Sequence, residues 1–339
     1  MSRLKINNDV SINYQCMGQG ETVVLIHGLG ANLAFWYMGI ARLLARHYHV
    51  ITYDLRGHGR SAMPATGYTL PCMADDLVAL LDHLDVKNAH IVGHSFGARV
   101  ALYFTIAHPQ RVKTLTAADT QISSLQNQVR LGDWPHWKIW KQQLQEQGLD
   151  PLPPDDEYIN FQMLAHFNKF SDEFTNGGLT RRNLAPSLKR RDMGNRGAAR
   201  WEKLMNTTSA HEDFQDDHQI TIDSLSQINI PTLALFGEYS HCMATCQQLN
   251  YYIPTCKVKI LREVGHFLPA VKPRLFMHTL RQFVLQSANE LAIRHTIKHS
   301  RRNSQSDLAV KYPLTDQHGD LVLFDRRKPL YDASVISNQ

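Results

Sequence analysis

The chain has 339 residues, of which 43% are hydrophobic and 20% charged, with a formal net charge of +5. That length buries a substantial core and suits one domain with an insertion better than two equal halves, and the composition is that of a globular protein. So modest a positive charge gives no reason to expect nucleic acid or a membrane surface as partner, and no apolar run reaches the length of a spanning helix.

In chain order, the polar start Met1-Ser2-Arg3-Leu4-Lys5 lacks the apolar stretch of a signal peptide. Leu4-Lys5-Ile6 and Val10-Ser11-Ile12-Asn13-Tyr14 flank the turn-prone Asn7-Asn8-Asp9, which predicts a β-hairpin. Thr22-Val23-Val24-Leu25-Ile26 is a continuous β-branched run, the pattern of a strand covered on both faces, and it ends at His27-Gly28-Leu29-Gly30. A helix is expected over 34–46. A further strand, His49-Val50-Ile51-Thr52-Tyr53, leads to Asp54-Leu55-Arg56-Gly57-His58-Gly59-Arg60-Ser61. Met73, Leu77, Leu80, Leu81 and Leu84 then follow helical spacing. Strand and helix signals alternate, which predicts an α/β fold with a mostly parallel, doubly wound sheet.

The stretch that organises the rest is Ala89-His90-Ile91-Val92-Gly93-His94-Ser95-Phe96-Gly97, followed by a helix-forming segment as far as His108-Pro109. A G-x-S-x-G elbow placed between a strand and a helix throws its serine onto a strained turn at the sheet's C-terminal edge, beside the first amides of the helix. Gly93 and Gly97 leave room where side chains would collide. His27-Gly28-Leu29-Gly30, the segment 54–61 and the elbow, in that order and spacing, resemble the α/β-hydrolase superfamily. The resemblance covers residues from about 4 to 286 and is weakest in the middle third. It implies an oxyanion hole made of the Leu29 and Phe96 amides. Arg56 and His58 are read as loop architecture rather than as catalytic groups.

After Val112-Lys113-Thr114-Leu115-Thr116 and Ala117-Ala118-Asp119-Thr120 the alternation stops for about a hundred residues. Residues 121–226 are rich in Gln, Asn, Trp, Phe and charge. Pro151-Leu152-Pro153-Pro154 before Asp155-Asp156-Glu157 reads as a linker and a helix start. The resemblance implies a helical cap here, inserted into a core formed by 1–120 and 227–289. Trp134, Trp137, Phe161 and Phe167 are its expected substrate-binding residues, with Trp140, Met163 and Phe170 as further candidates. Lys189, Arg190, Arg191, Arg196 and Arg200 form a basic face, read as a solvated surface.

The core pattern resumes at Ile230-Pro231-Thr232-Leu233-Ala234-Leu235-Phe236-Gly237 and at Lys257-Val258-Lys259-Ile260-Leu261. His266 follows the last strand and precedes a helix expected over 272–286. It matches the family's general base. The family usually carries Gly-x-x-Asp after the strand before, whereas this chain reads Gly237-Glu238-Tyr239-Ser240. Two carboxylates lie between Ser95 and His266 in suitable places. Asp119 ends a strand one place earlier, a position some branches of the family use, and Glu238 sits nearer the usual slot. Either Asp119 or Glu238 is expected as the acid; failing both, a Ser–His dyad or a ligand-binding relic remains. His241, Cys242 and Cys246 make too short a cluster for a zinc signature, and no metal or organic cofactor is implied. The five cysteines are odd in number and scattered, which fits reduced thiols in a cytoplasm. The tail, 290–339, lies beyond the resemblance. It is read as a polar linker at 301–306 and a short strand at 320–325.

The functional expectation is a serine hydrolase that cleaves a carboxylic ester or thioester of a hydrophobic or amphiphilic acyl substrate through an acyl-enzyme. A lactonase, a carbon–carbon bond hydrolase and a non-catalytic binding protein are the alternatives on the same scaffold. The expected partner is a small acyl molecule. Oligomeric state has no signal in the sequence.

Overall fold

Eight strands form a single sheet in the order β1-β2-β4-β3-β5-β6-β7-β8. They are β1 (Ser2–Lys5), β2 (Ser11–Met17), β3 (Thr22–Ile26), β4 (His49–Tyr53), β5 (Ala89–His94), β6 (Val112–Ala118), β7 (Thr232–Gly237) and β8 (Cys256–Leu261). The computed structural model describes residues 2–146, 151–160, 163 and 193–303. The expected hairpin forms: β1 and β2 pair antiparallel, and β2 pairs antiparallel with β4. Every other pairing is parallel. The apolar runs β3, β5 and β7 are buried along their whole length, as strands covered on both faces must be.

Helix α1 (Leu70–His83) starts where Thr69 accepts a hydrogen bond from the Cys72 amide and Pro71 occupies the first turn. It buries Met73, Leu77, Leu80 and Leu81, one stripe at helical spacing. Helix α2 (Phe96–Ala107) follows the elbow. Ala98, Val100, Ala101, Leu102 and Phe104 pack it into the core. The helix expected over 34–46 is broken: one α turn at Ala34–Trp36, a π segment at Tyr37–Ala41 and another α turn at Arg42–Leu44. A π segment shifts the hydrogen-bond register by one residue, which hydrophobic spacing does not report.

Between β6 and β7 the described residues include α3 (Trp137–Glu146) and α4 (Met193–Thr207). Phe161, Phe167, Phe170, Lys189, Arg190 and Arg191 lie outside the described residues, as does the strand expected at 320–325. Helix α5 (Met243–Tyr252) buries Cys246, with Cys242 at its N-terminal boundary. The last helix, α6 (Pro273–Asn303), runs well past the expected end near 286 and takes up 301–303, read from sequence as linker. By chain contacts the molecule divides into Met1–Arg281, which holds the sheet, and Gln282–Gln339, whose described part is the continuation of α6. No helix among the described residues is long and apolar enough to cross a membrane.

This topology decides where a site belongs. The chain steps from β3 to β4 on one side, then crosses back to place β5 on the other side of β3. The crevice beyond the C-terminal ends of β3 and β5 is therefore the switch point at which open α/β sheets bind ligands.

Candidate active site

Ser95 stands at that switch point with φ 56° and ψ −125°, a left-handed conformation that is strained for a residue with a side chain. Close packing holds the turn. A Cβ on Gly93 would come 2.1 Å from Gly97 O, and one on Gly97 would come 2.4 Å from Ile26 O. The elbow thus wedges helix α2 against β3 with no space for a methyl group. The Ser95 amide donates to Ala118 O (2.9 Å), which ties the nucleophile turn to the end of β6.

Ser95 Oγ donates to His266 Nε2 at 3.0 Å, and His266 Nδ1 donates to Asp119 Oδ1 at 2.8 Å. Asp119 is fully buried and lies at the end of β6 with φ 44°, a conformation aspartate tolerates better than most residues. It also accepts from the Gly237 amide through Oδ2 (2.9 Å) and from Ser240 Oγ through Oδ1 (2.6 Å). Burial pushes its carboxyl up. The hydrogen bonds from His266, Gly237 and Ser240 outweigh that and hold it below the ordinary carboxylate range. Ser240, in the slot where the resembled family carries aspartate, accepts in turn from the Cys242 amide at 2.9 Å. It is a bridge that braces the carboxylate offered from β6. Glu238, the other expected acid, accepts from the Glu263 amide at 2.7 Å and ties two surface loops together. It has no contact with His266, so the alternative assignment to Glu238 is corrected.

The loop after β3 runs against the nucleophile, since a Cβ on Gly28 would lie 2.9 Å from Ser95 Cβ. His27 sets this loop: its Nδ1 donates to Gly28 O (2.7 Å) while its Nε2 accepts from the Leu55 amide (3.1 Å). One donating and one accepting nitrogen require a neutral ring, and desolvation lowers its pKa to about 4. Leu29 and Phe96 both line the cavity with Ser95, and neither amide has an acceptor among the described residues. The first N–H of helix α2 has no intrahelical partner in any case.

Two residues of the site are missed by the sequence reading. His94 fills a variable position of the elbow, yet its Nε2 donates to His266 O at 2.7 Å and Phe35 stacks on its ring. Desolvation lowers its pKa to about 3, so it stays a neutral donor that fixes the backbone of its partner. Arg99 lies one helical turn beyond Ser95 and lines the same cavity. The i, i+4 spacing was the available signal, masked by the many arginines that simply cover helices. Arg56, by contrast, is loop architecture as read: it binds both oxygens of buried Asp76, at 2.7 and 2.6 Å.

The cavity at Ser95 has a volume of about 310 Å³. Ile159, Asn160, Phe214 and Gln215 from the insertion form part of its wall. Trp134 and Trp137 do not. Trp134 donates to Tyr239 O (3.2 Å) and packs edge-on to Trp140, and Trp137 donates to Asp155 (2.7 Å). Both are buried as structural elements of the insertion, as indole rings with one polar atom commonly are. Met163 is buried as well. His241, Cys242 and His266 place ligand-type atoms within 4.8 Å of one another, without Cys246. Both His266 nitrogens already hold Ser95 and Asp119, so a metal ion bound through His266 would displace one of them.

The chain is 35% identical over 146 residues to a 3-oxoadipate enol-lactonase of Acinetobacter baylyi, a match covering 42% of this chain and 52% of that protein. The chain thus spans about half the length of that curated relative. Among solved structures, Est816, described as an N-acyl homoserine lactone degrading enzyme, is 27% identical with a TM-score of 0.54, over 83% of this chain and all of that one. The enol-lactonase of Burkholderia xenovorans LB400 shares the fold at 20% identity and a TM-score of 0.55, over 82% of this chain and 98% of that one. A family model described as alpha/beta hydrolase fold matches residues 21–273. The chain belongs to the alpha/beta hydrolase fold family.

Proposed function

We propose that the chain is a serine hydrolase that cleaves a carboxylic ester or a lactone through an acyl-enzyme on Ser95. The observation that carries this reading is the unbroken line of hydrogen bonds from Asp119 through His266 to Ser95. In this mechanism Ser95 Oγ attacks the carbonyl carbon as its proton passes to His266 Nε2, and the carbonyl π pair moves onto oxygen. The Leu29 and Phe96 amides receive that oxyanion; one such fixed donor is worth on the order of 10²–10³ in rate. Collapse expels the alkoxide, which takes the proton from His266. Water then attacks the acyl-enzyme, gives a proton to the same nitrogen and releases the acid, and the proton returns to Ser95. Asp119 stays ionised throughout, orients the ring and offsets its charge when it is protonated.

Lactones stand beside open esters because relatives with that named activity are among the matches. A non-catalytic role was left open by the serine at position 240, and Asp119 beside His266 weighs against it. The test is a fluorophosphonate label mapped by mass spectrometry, together with a panel of esters, thioesters and lactones against Ser95→Ala as the blank. Labelling confined to Ser95, with turnover of an ester or lactone absent from the variant, is expected. Well-folded protein that neither labels nor turns over any member of the panel overturns the proposal.

A further inference from the structure

The cavity at Ser95 is not the apolar acyl slot that its Trp-rich insertion suggested. Among the described residues, its wall carries the side-chain amides of Gln121, Gln128, Asn160 and Gln215 and one permanent charge, the guanidinium of Arg99. Arg99 lies four residues after Ser95, in the first turns of α2, and lines the same cavity.

The guanidinium is held in place from one side. Its Nε donates to Gln121 O at 2.7 Å and its Nη1 to Phe214 O at 3.4 Å. Asp217 Oδ2 lies 3.5 Å from Nη1, beyond a good hydrogen bond, and accepts the Ser123 amide at 3.0 Å instead. Nη2 donates to no described residue, yet it is not among the buried polar atoms left without a partner. Nη2 therefore keeps some open surface, and the open space that Arg99 lines is the cavity. Arg99 is only partly buried, with 18% of its side chain exposed, and it lines the same cavity as Ser95 with a donor nitrogen that no described residue uses.

We infer that the substrate carries a carboxylate in addition to the bond that is cleaved, and that Arg99 binds it. A planar guanidinium edge matches a carboxylate in shape as well as charge. The side-chain amides of Gln128, Asn160 and Gln215 supply further donors for its oxygens, while Gln121 spends its own on Gln126 O and Asn127 O. A single cation already close to Asp217, in about 310 Å³, suits a monoanion on a short chain better than a phosphate dianion or a long acyl tail. This inference rests on the proposed esterase or lactonase activity and names its substrate class.

The test compares mono-4-nitrophenyl adipate with 4-nitrophenyl hexanoate, which has the same acyl length and no charge. The wild-type protein is expected to favour the acidic ester at least ~10-fold in kcat/KM, roughly the 1.4 kcal/mol of one charge-assisted hydrogen bond. Arg99→Met is expected to lose that preference, chiefly through KM, and Arg99→Lys keeps part of it. Arg99 also touches the insertion, so a second measurement avoids mutation altogether: adipate, but not 1,6-hexanediol, protects Ser95 of the wild-type protein from fluorophosphonate. Turnover of both esters with no preference for the acid, and no protection by adipate, overturns the carboxylate site and leaves the hydrolase standing. Absence of labelling and of all turnover overturns the hydrolase itself.

Discussion

A carboxylate that must stay charged in a water-free pocket needs donors on nearly every lone pair, and Asp119 has three partners. Asp119→Asn is accordingly expected to lower kcat by about 10³–10⁴ while labelling remains detectable, because the amide cannot hold the correct imidazole tautomer. Glu238→Gln should leave kcat within about twofold, since its partner is a loop amide. Ser240→Ala removes one donor from Asp119 and strips the Cys242 amide of its acceptor. The expected outcome is a loss of about 1–3 kcal/mol in urea denaturation, with kcat about tenfold lower at unchanged KM, and recovery in Ser240→Thr. As Asp119 loses that donor its pKa rises, so the acidic limb of the rate profile should move to higher pH. At this scale the sequence was legible where contacts are local. Ser95 announces itself through neighbours two residues away. The choice between Asp119 and Glu238 depends on a contact across 147 positions of chain, and spacing does not report it.

Among the elements, the elbow is the one with the least tolerance. Gly93→Ala would set a methyl 2.1 Å from Gly97 O, backbone against backbone. It is expected to cost about 3 kcal/mol or more, measured as a lowered urea midpoint, and to abolish labelling of Ser95 in whatever protein remains folded. The strands and helices α1 and α2 were readable because burial on two faces, or on one stripe, writes a period into the residues. The break at Tyr37–Ala41 was not, since a one-residue change of register leaves that period nearly intact. Nor was the reach of α6, whose later turns carry little apolar periodicity to mark their end.

For the molecule as a whole, the decisive electrostatic fact is a set of histidines folded in as neutral rings. Burial lowers His27 and His90 to about 4 and His58, His94 and His241 to about 3. Once unfolded they titrate near the ordinary value of about 6.5, so below that pH the unfolded chain binds more protons and stability falls. The loss builds up between about pH 6.5 and 4, at up to roughly 1.4 kcal/mol per pH unit for each ring. Asp119 acts elsewhere on the scale: held low, it stabilises at every pH above about 4 and is lost only below that. Urea midpoints at pH 7.5, 6 and 5 should therefore drop steeply, and His94→Gln should flatten the slope by about a fifth. A pH-independent midpoint over that range would show that these rings take up protons inside the fold. The position of Asp119 has a last consequence. With its acid at the end of β6, this protein leaves the sheet for the long β6–β7 connection at the very next residue, Thr120, so a chimaera-builder who exchanges that connection cuts close beside Asp119. Segments grafted onto this scaffold must be joined later, beyond Gln121, or they will drag the carboxylate out of line.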